Sequence, residues 1–207
     1  DIVMTSFEDS HKRFPDQAQD KLTFTGNPVR DEILNSDKAE SRKKLGLTPD
    51  EKMLLVAGGS GGSEEINNAL KKLIPALVKD KIAFTIATGR AYYDQFMKDY
   101  GDLEFGQNQK ILPYLDDMAN NLAAADLVIG AISMAEMTAI GVPAVIVPKA
   151  YTAENHQEYN AKSLERAGGA ICITERELSE DSLYDNVLGL LNDKTRLEEM
   201  AKASRAF

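Results

Sequence analysis

The chain reads as an α/β protein, a parallel Rossmann-like sheet with helices on both faces. Three observations lead there. Short apolar runs alternate repeatedly with stretches of helical periodicity, the pattern of strands joined by covering helices. Two of those runs stop abruptly at glycine, Met53–Ala57 at Gly58 and Leu127–Ile129 at Gly130. The runs are continuously apolar rather than alternating, as strands buried on both faces are. With 43% hydrophobic residues the chain can bury a real core.

The elements follow in order. Ile2–Thr5 is strand-like, Glu8–Phe14 a short helix or turn closed by Pro15, and Leu22–Thr25 a second short strand. Asn27-Pro28 breaks it, because proline lacks an N–H and biases its predecessor away from the helix. Asp31–Leu34 and Ser36–Leu45 are helical, with Gly46 as the stop of the second. After the strand Met53–Ala57 come a Gly-rich turn and one helix over Glu64–Val78, whose Ile66, Leu70, Leu73, Ile74 and Leu77 keep helical spacing. Ile82–Thr88 is a strand, Tyr92–Tyr100 a helix, Lys110–Leu112 a strand and Met118–Ala125 a helix. Leu127–Ile129 then leads through a small-residue helix, ended by Gly141-Val142-Pro143, to the strand Ala144–Val147. A polar loop, the helix Gln157–Ala167 and the last strand Ala170–Ile173 follow. Ser182–Asn192 and Lys194–Arg205 are the closing helices. From Met53 onward this is a six-strand Rossmann-like unit, without internal repeat or low-complexity linker.

Composition excludes several function classes. The formal charge of −9 and pI near 4.8 oppose electrostatic binding to nucleic acid or anionic lipid. The one cluster of cations, Arg42-Lys43-Lys44, reads as a solvated helix end. No run approaches the roughly 18–20 apolar residues of a membrane span, and no signal peptide is visible. The single cysteine, Cys172, excludes an internal disulfide framework, suits a reducing compartment and reads as a buried small hydrophobe. The chain opens strand-like on Asp1 and closes inside helical composition at Phe207, so both ends look cut from a longer polypeptide.

Several constellations could carry chemistry. Gly58-Gly59-Ser60-Gly61-Gly62-Ser63 lies between a strand and a helix, where glycines let backbone approach a ligand and free N–H groups favour an anion. It is neither Walker A nor GxGxxG; a flexible turn is the plain alternative. Gly130-Ala131-Ile132-Ser133 is a second such helix start. Glu136 has two readings of equal standing from spacing alone. It can complete a capping box with Ser133, or sit a turn inside the helix and bridge two vicinal hydroxyls. Asp116-Asp117 is better explained as an N-cap for the following helix than as metal ligands. Arg30, a lone cation just after a turn, could neutralise a diphosphate if it faced the two helix starts. His11 reads as an inert surface residue. His156, beside Asn155 and Gln157, is either a surface or capping residue or part of a site. No Ser or Cys adjoins His156, and the Ser10 beside His11 lies in a charged, surface-like segment, so no triad is read.

Taken together these pieces resemble the donor-binding half of the MurG family, the UDP-GlcNAc:undecaprenyl-pyrophosphoryl-MurNAc-pentapeptide GlcNAc transferases. The matching stretches are TGNPVR (25–30), GGSGGS (58–63), ATGRAYYD (87–94), LPYLDDMANNLAAADLVI (112–129), GAISMAEMTAIGVPAVIVP (130–148) and NHQEYNAKSLERAGGA (155–170), in the family's order. The resemblance implies the C-terminal half of a GT-B glycosyltransferase fold. Residues 1–25 would be the tail of an N-terminal acceptor domain plus linker, and 26–207 a UDP-GlcNAc-binding domain truncated at its C-terminal end. It implies that Leu115 meets the uracil edge through its backbone, with Tyr114 and Met118 beside the base. Glu136 would bind the ribose hydroxyls. Ala131, Ile132 and Ser133 N–H groups, with Ser60 and Arg30, would hold the diphosphate, and His156 and Gln157 would read the GlcNAc hydroxyls.

The same resemblance implies GlcNAc transfer to the C4 hydroxyl of lipid I, giving lipid II with inversion, at the cytoplasmic face of the bacterial membrane. No cofactor or obligatory metal is implied, and no catalytic residue falls in this chain, since the general base belongs to the acceptor domain. Membrane and lipid I contacts fall to that domain too, so the chain is expected to bind donor without turning over alone. The sequence departs from the family in Gly61 and Ser63, and in a shorter step from Ile129 to Gly130. Two rivals stand beside this reading: a free-standing donor-binding subunit of a two-subunit transferase, and a UDP-GlcNAc 2-epimerase-like enzyme of the same fold.

Overall fold

In the computed structural model, which describes residues 2–5, 11, 12, 14–100, 102–149 and 156–207, two short strands come first. β1 (Val3–Thr5) and β2 (Leu22–Phe24) pair in parallel as a separate two-stranded sheet, joined partly by a 3-10 turn over Asp16–Lys21. Most of the turn or helix expected over 8–14 lies outside the described residues. His11, read as inert, is bonded: its Nε2 lies 2.8 Å from the Thr5 hydroxyl at the end of β1.

The main sheet has six strands: β3 (Met53–Ala57), β4 (Ala83–Ala87), β5 (Gln109–Leu112), β6 (Leu127–Gly130), β7 (Ala144–Ile146) and β8 (Ala170–Cys172). Their spatial order is β5-β4-β3-β6-β7-β8, and every neighbouring pair is parallel. The chain enters at the centre, works outward to β5, then crosses over and works outward to β8. The order therefore reverses between β3 and β6, and in open parallel sheets the crevice beyond the carboxyl ends at such a reversal is where ligands bind.

Successive side chains of a strand point to opposite faces, and the core divides accordingly. Leu54, Val56, Phe84, Ile86, Leu127, Ile129 and Val145 face one side and Leu55, Val128, Ala144 and Ile146 the other, all buried. The first layer is covered by α3 (Glu64–Ala69), α4 (Leu73–Lys79), α5 (Tyr93–Tyr100), α9 (Glu180–Leu191) and α10 (Lys194–Ala206). The second is covered by α1 (Asp31–Leu34), α6 (Met118–Ala124), α7 (Met134–Ile140) and α8 (His156–Arg166). The remaining helix, α2 (Lys38–Leu45), is capped by Asp37, which accepts from Glu40 N at 2.9 Å, and stops at Gly46 with φ 77°.

Two expectations are corrected. The single helix over Glu64–Val78 is two helices, broken after Ala69. Pro75 has no N–H to give the Lys71 carbonyl and its ring would strike that group, so the helix must restart with proline in its first turn. Arg42 is not solvated but buried at 6% exposure. Its guanidinium donates to the Ala124 carbonyl at 2.9 Å, to those of Thr48 and Glu51, and to Asp126 at 3.3 Å. Asp126 also accepts from Met53 N at 2.9 Å and Lys38 at 2.6 Å, fastening α2 to the amino ends of β3 and β6. Cys172 is half-buried, and burial pushes its thiol up to about 11, with nearby Glu165 adding to the shift. Among the described residues no helix is long and apolar enough to cross a membrane.

Candidate functional site

The carboxyl ends of β3 and β6 release the two glycine-bearing segments side by side. Ala57 pairs with Gly130 across the strands, and Ala131 N donates back to the Ala57 carbonyl at 3.2 Å. Gly130 has φ 142° and lies so close to that carbonyl that a Cβ would collide with it, so only glycine can end β6 here. Gly62, with φ 80°, is pressed against the Thr88 carbonyl in the turn after β4. Thr88 also accepts from the buried Asn67 at 2.9 Å, which fixes the loop against α3. Ser60 is exposed at the loop's tip, inside the turn closed by Gly62 N on the Gly59 carbonyl at 3.1 Å. Ser63 caps α3, accepting from Ile66 N at 3.3 Å and donating its hydroxyl to Glu65 at 2.9 Å. Glu65 is held below the usual carboxylate range by its own backbone N–H, by Ser63 and by the charge of Lys149.

Ser133 occupies the N-cap position of α7, but its side chain makes no capping bond, so the capping box does not form. Glu136, in the first turn, turns instead to Arg30: Nε donates to Glu136 Oε1 at 2.9 Å across a separation of 106 residues. Nη1 of Arg30 donates to Glu32 at 2.9 Å. Arg30 reaches Glu136 because α1, which starts at the next residue, buries Ile33 and packs on α6 and α7. The Glu136 side chain is 14% exposed and that of Arg30 51%. The hydrogen bond to Glu136 raises the Arg30 pKa, with Glu32 and Tyr114 adding smaller pulls.

Beyond β5, Tyr114 stands 41% exposed while Leu115 turns into the second core at 8%. Met118 opens α6 and packs against the same core. Asp117 caps α6, accepting from Asn120 N at 3.2 Å, as the sequence suggests. Among the described residues no group of His, Cys, Asp and Glu could hold a metal ion. The Arg90 guanidinium lies 5.0 Å above the Tyr114 ring. Ala131 and Ile132 are half-buried and Ser133 is exposed on the segment from β6 to α7. Gln157 sits in the first turn of α8, its Oε1 accepting from Lys149 N at 3.1 Å. The His156 side chain lies outside the described residues.

The structure thus joins Arg30 to Glu136, brings Tyr114 near Arg30, and sets Gly58–Ser63 beside Gly130–Ser133. Lys149 and Arg90 have no role in the sequence reading. The available signal was positional, a cation just past the carboxyl end of β7 and another just past β4.

Residues 53–207 match the model of the glycosyltransferase family 28 C-terminal domain. The chain belongs to that family. Within it, a Clostridioides difficile protein is 56% identical over 99% of this chain, and an Acetivibrio thermocellus protein 43% identical over 100% of this chain. Both are named UDP-N-acetylglucosamine--N-acetylmuramyl-(pentapeptide) pyrophosphoryl-undecaprenol N-acetylglucosamine transferase. The family 28 chain spans 51% and 56% of those relatives, about half their length. The solved MurG of Acinetobacter baumannii has a TM-score of 0.67 at 26% identity, covering 93% of this chain and 54% of that one. The resemblance to MurG is therefore borne out. A UDP-N-acetylglucosamine 2-epimerase structure from Listeria monocytogenes, at TM-score 0.72, 17% identity and coverage of 98% and 54%, shares the fold alone.

Proposed function

We propose that this chain is the donor-binding part of an inverting transferase that moves GlcNAc from UDP-GlcNAc to lipid I, forming lipid II. The observation that carries the reading is the meeting of Glu136, Arg30 and two glycine-bearing segments at the strand-order reversal. Glu136 keeps Oε1 on Arg30, and its second oxygen can accept from the vicinal ribose hydroxyls. A guanidinium carries five N–H donors, so Arg30 can hold both carboxylates and still donate to a phosphate oxygen. Backbone N–H groups of Ala131, Ile132 and Ser133, with the Ser60 hydroxyl, take the remaining diphosphate oxygens. Tyr114, Leu115 and Met118 line the base, and Gln157, oriented by Lys149, turns its amide N–H to the GlcNAc hydroxyls with His156 beside it.

In the transfer step the C4 hydroxyl oxygen of the acceptor bonds to the sugar's C1 from the face opposite UDP. The C1–O bond breaks with its electron pair leaving on the diphosphate, and the hydroxyl proton passes to a base supplied outside this chain. The site's cation and N–H groups act on the charge that develops on UDP, where preorganised donors lower a barrier most. Residues 1–25, whose strands form their own sheet, go with the acceptor half on this reading, and residues 26–207 form the donor domain. With a lipid acceptor, the whole protein works peripherally at the cytoplasmic membrane face. The lipid contacts come from the acceptor half, because a charge of −9 gives this half no attraction to anionic lipid. Calorimetric titration of the chain with UDP-GlcNAc tests the reading. Saturable binding without epimer formation is expected, and absence of binding would remove the donor-site assignment.

A further inference from the structure

Lys149 leaves the carboxyl end of β7 and reaches back across the sheet. Its backbone N–H donates to the side-chain Oε1 of Gln157 at 3.1 Å, while its Nζ donates to the Gly62 carbonyl at 3.4 Å. Because β6 lies between β3 and β7, this residue bridges the two loops that flank the start of Gly130–Ser133. It therefore ties two separate pieces of the proposed donor site together, the glycine-rich loop and the first turn of α8.

The local charge balance makes the ammonium more than a tie. A nucleoside diphosphate brings concentrated negative charge, yet Arg30 already faces two carboxylates, Glu136 and Glu32. That trio carries a net negative charge. Arg90 is engaged over the Tyr114 ring. Lys149 is exposed and forms no ion pair among the described residues; its ammonium rests on a neutral carbonyl at a distance that makes a weak bond. An ammonium on a flexible stem can exchange such a partner for an anion at little cost. After its own backbone N–H and the Ser63 hydroxyl, the charge of Lys149 also helps to hold Glu65, in the first turn of α3, below the usual carboxylate range.

We propose that Lys149 is a further donor-binding residue, transferring its ammonium from the Gly62 carbonyl to a phosphate oxygen of the nucleoside diphosphate. The proposal rests on the donor-site reading above, and the two fail differently. The test is calorimetry with uridine, UMP and UDP on the wild-type chain and the Lys149→Met and Lys149→Arg variants, with thermal unfolding as a folding check. Lys149→Met should weaken UDP about tenfold, as loss of one charge-assisted hydrogen bond does, and leave uridine unchanged. Lys149→Arg should restore most of the UDP affinity, and the salt dependence of UDP binding should flatten in Lys149→Met alone. Equal UDP affinity in Lys149→Met and wild type would overturn the proposal while leaving the donor site standing. Equal weakening of uridine and UDP would also overturn it, marking Lys149 as a structural tie. A wild-type chain that binds neither uridine nor UDP would overturn both.

Discussion

Glu136 and Arg30 illustrate how one contact can serve a site while adding little to stability. The pair is well formed at 2.9 Å, but Arg30 is half exposed, and such pairs contribute about 0–1 kcal/mol. Glu136→Gln removes the charge and keeps the shape. The expected result is a shift in unfolding free energy below about 1 kcal/mol together with clearly weaker uridine binding, because a neutral amide accepts less strongly from ribose hydroxyls than a carboxylate. Urea unfolding and uridine calorimetry on the same variant separate the two effects, and unchanged uridine affinity would take Glu136 out of the ribose role. At this scale the sequence was legible only in part. Spacing left Glu136 divided between cap and ligand. The partner that decides its orientation lies 106 residues away, and no local pattern encodes such a contact. Lys149 was invisible for the same reason, since its two partners come from the loop after β3 and from the first turn of α8.

Elements were far more legible, because buried parallel strands advertise themselves as apolar runs and most helices by their period. The six strands from Met53 onward fall within a residue or two of their expected bounds. The break between α3 and α4 escaped because the apolar spacing runs straight through it, although Pro75 carries the physical cause. At the strand ends, glycines that look alike in sequence differ in what they tolerate. A Cβ at Gly130 would strike the Ala57 carbonyl, with φ at 142°, whereas one at Gly61 meets nothing within 4 Å. Gly130→Ala must therefore push β6 away from β3 or twist the start of the 130–133 segment. A loss of at least about 2 kcal/mol is expected, set against a change within about 0.5 kcal/mol for Gly61→Ala. Chemical denaturation of the two variants checks this. Similar stabilities for both would mean that the tight β3–β6 junction does not exist in solution.

Across the whole molecule, the two ends of the sheet do different work. The carboxyl ends carry the glycine-bearing loops, Arg30, Glu136 and Lys149. The amino ends carry Arg42 and Asp126, which bind α2, the loop over 48–51 and the starts of β3 and β6 into one network. The three consecutive cations at 42–44 gave no sign that the first points inward; its burial follows from how α2 lies on α6, a tertiary fact. Replacing Arg42 by Met keeps much of the side chain's bulk but strands the Ala124, Thr48 and Glu51 carbonyls and leaves Asp126 with Lys38 as its remaining cation. Removing one partner from a buried charged network costs about 3–5 kcal/mol, with the lower end expected here because Asp126 is 24% exposed. The site at the opposite ends of the strands shares none of these bonds. Arg42→Met should therefore unfold at markedly lower urea yet, while folded, bind UDP with wild-type affinity. A large loss of UDP affinity under conditions where the variant remains folded would show that the two ends are coupled, and that the sheet is not the rigid separator that its buried strands β3, β6 and β7 imply.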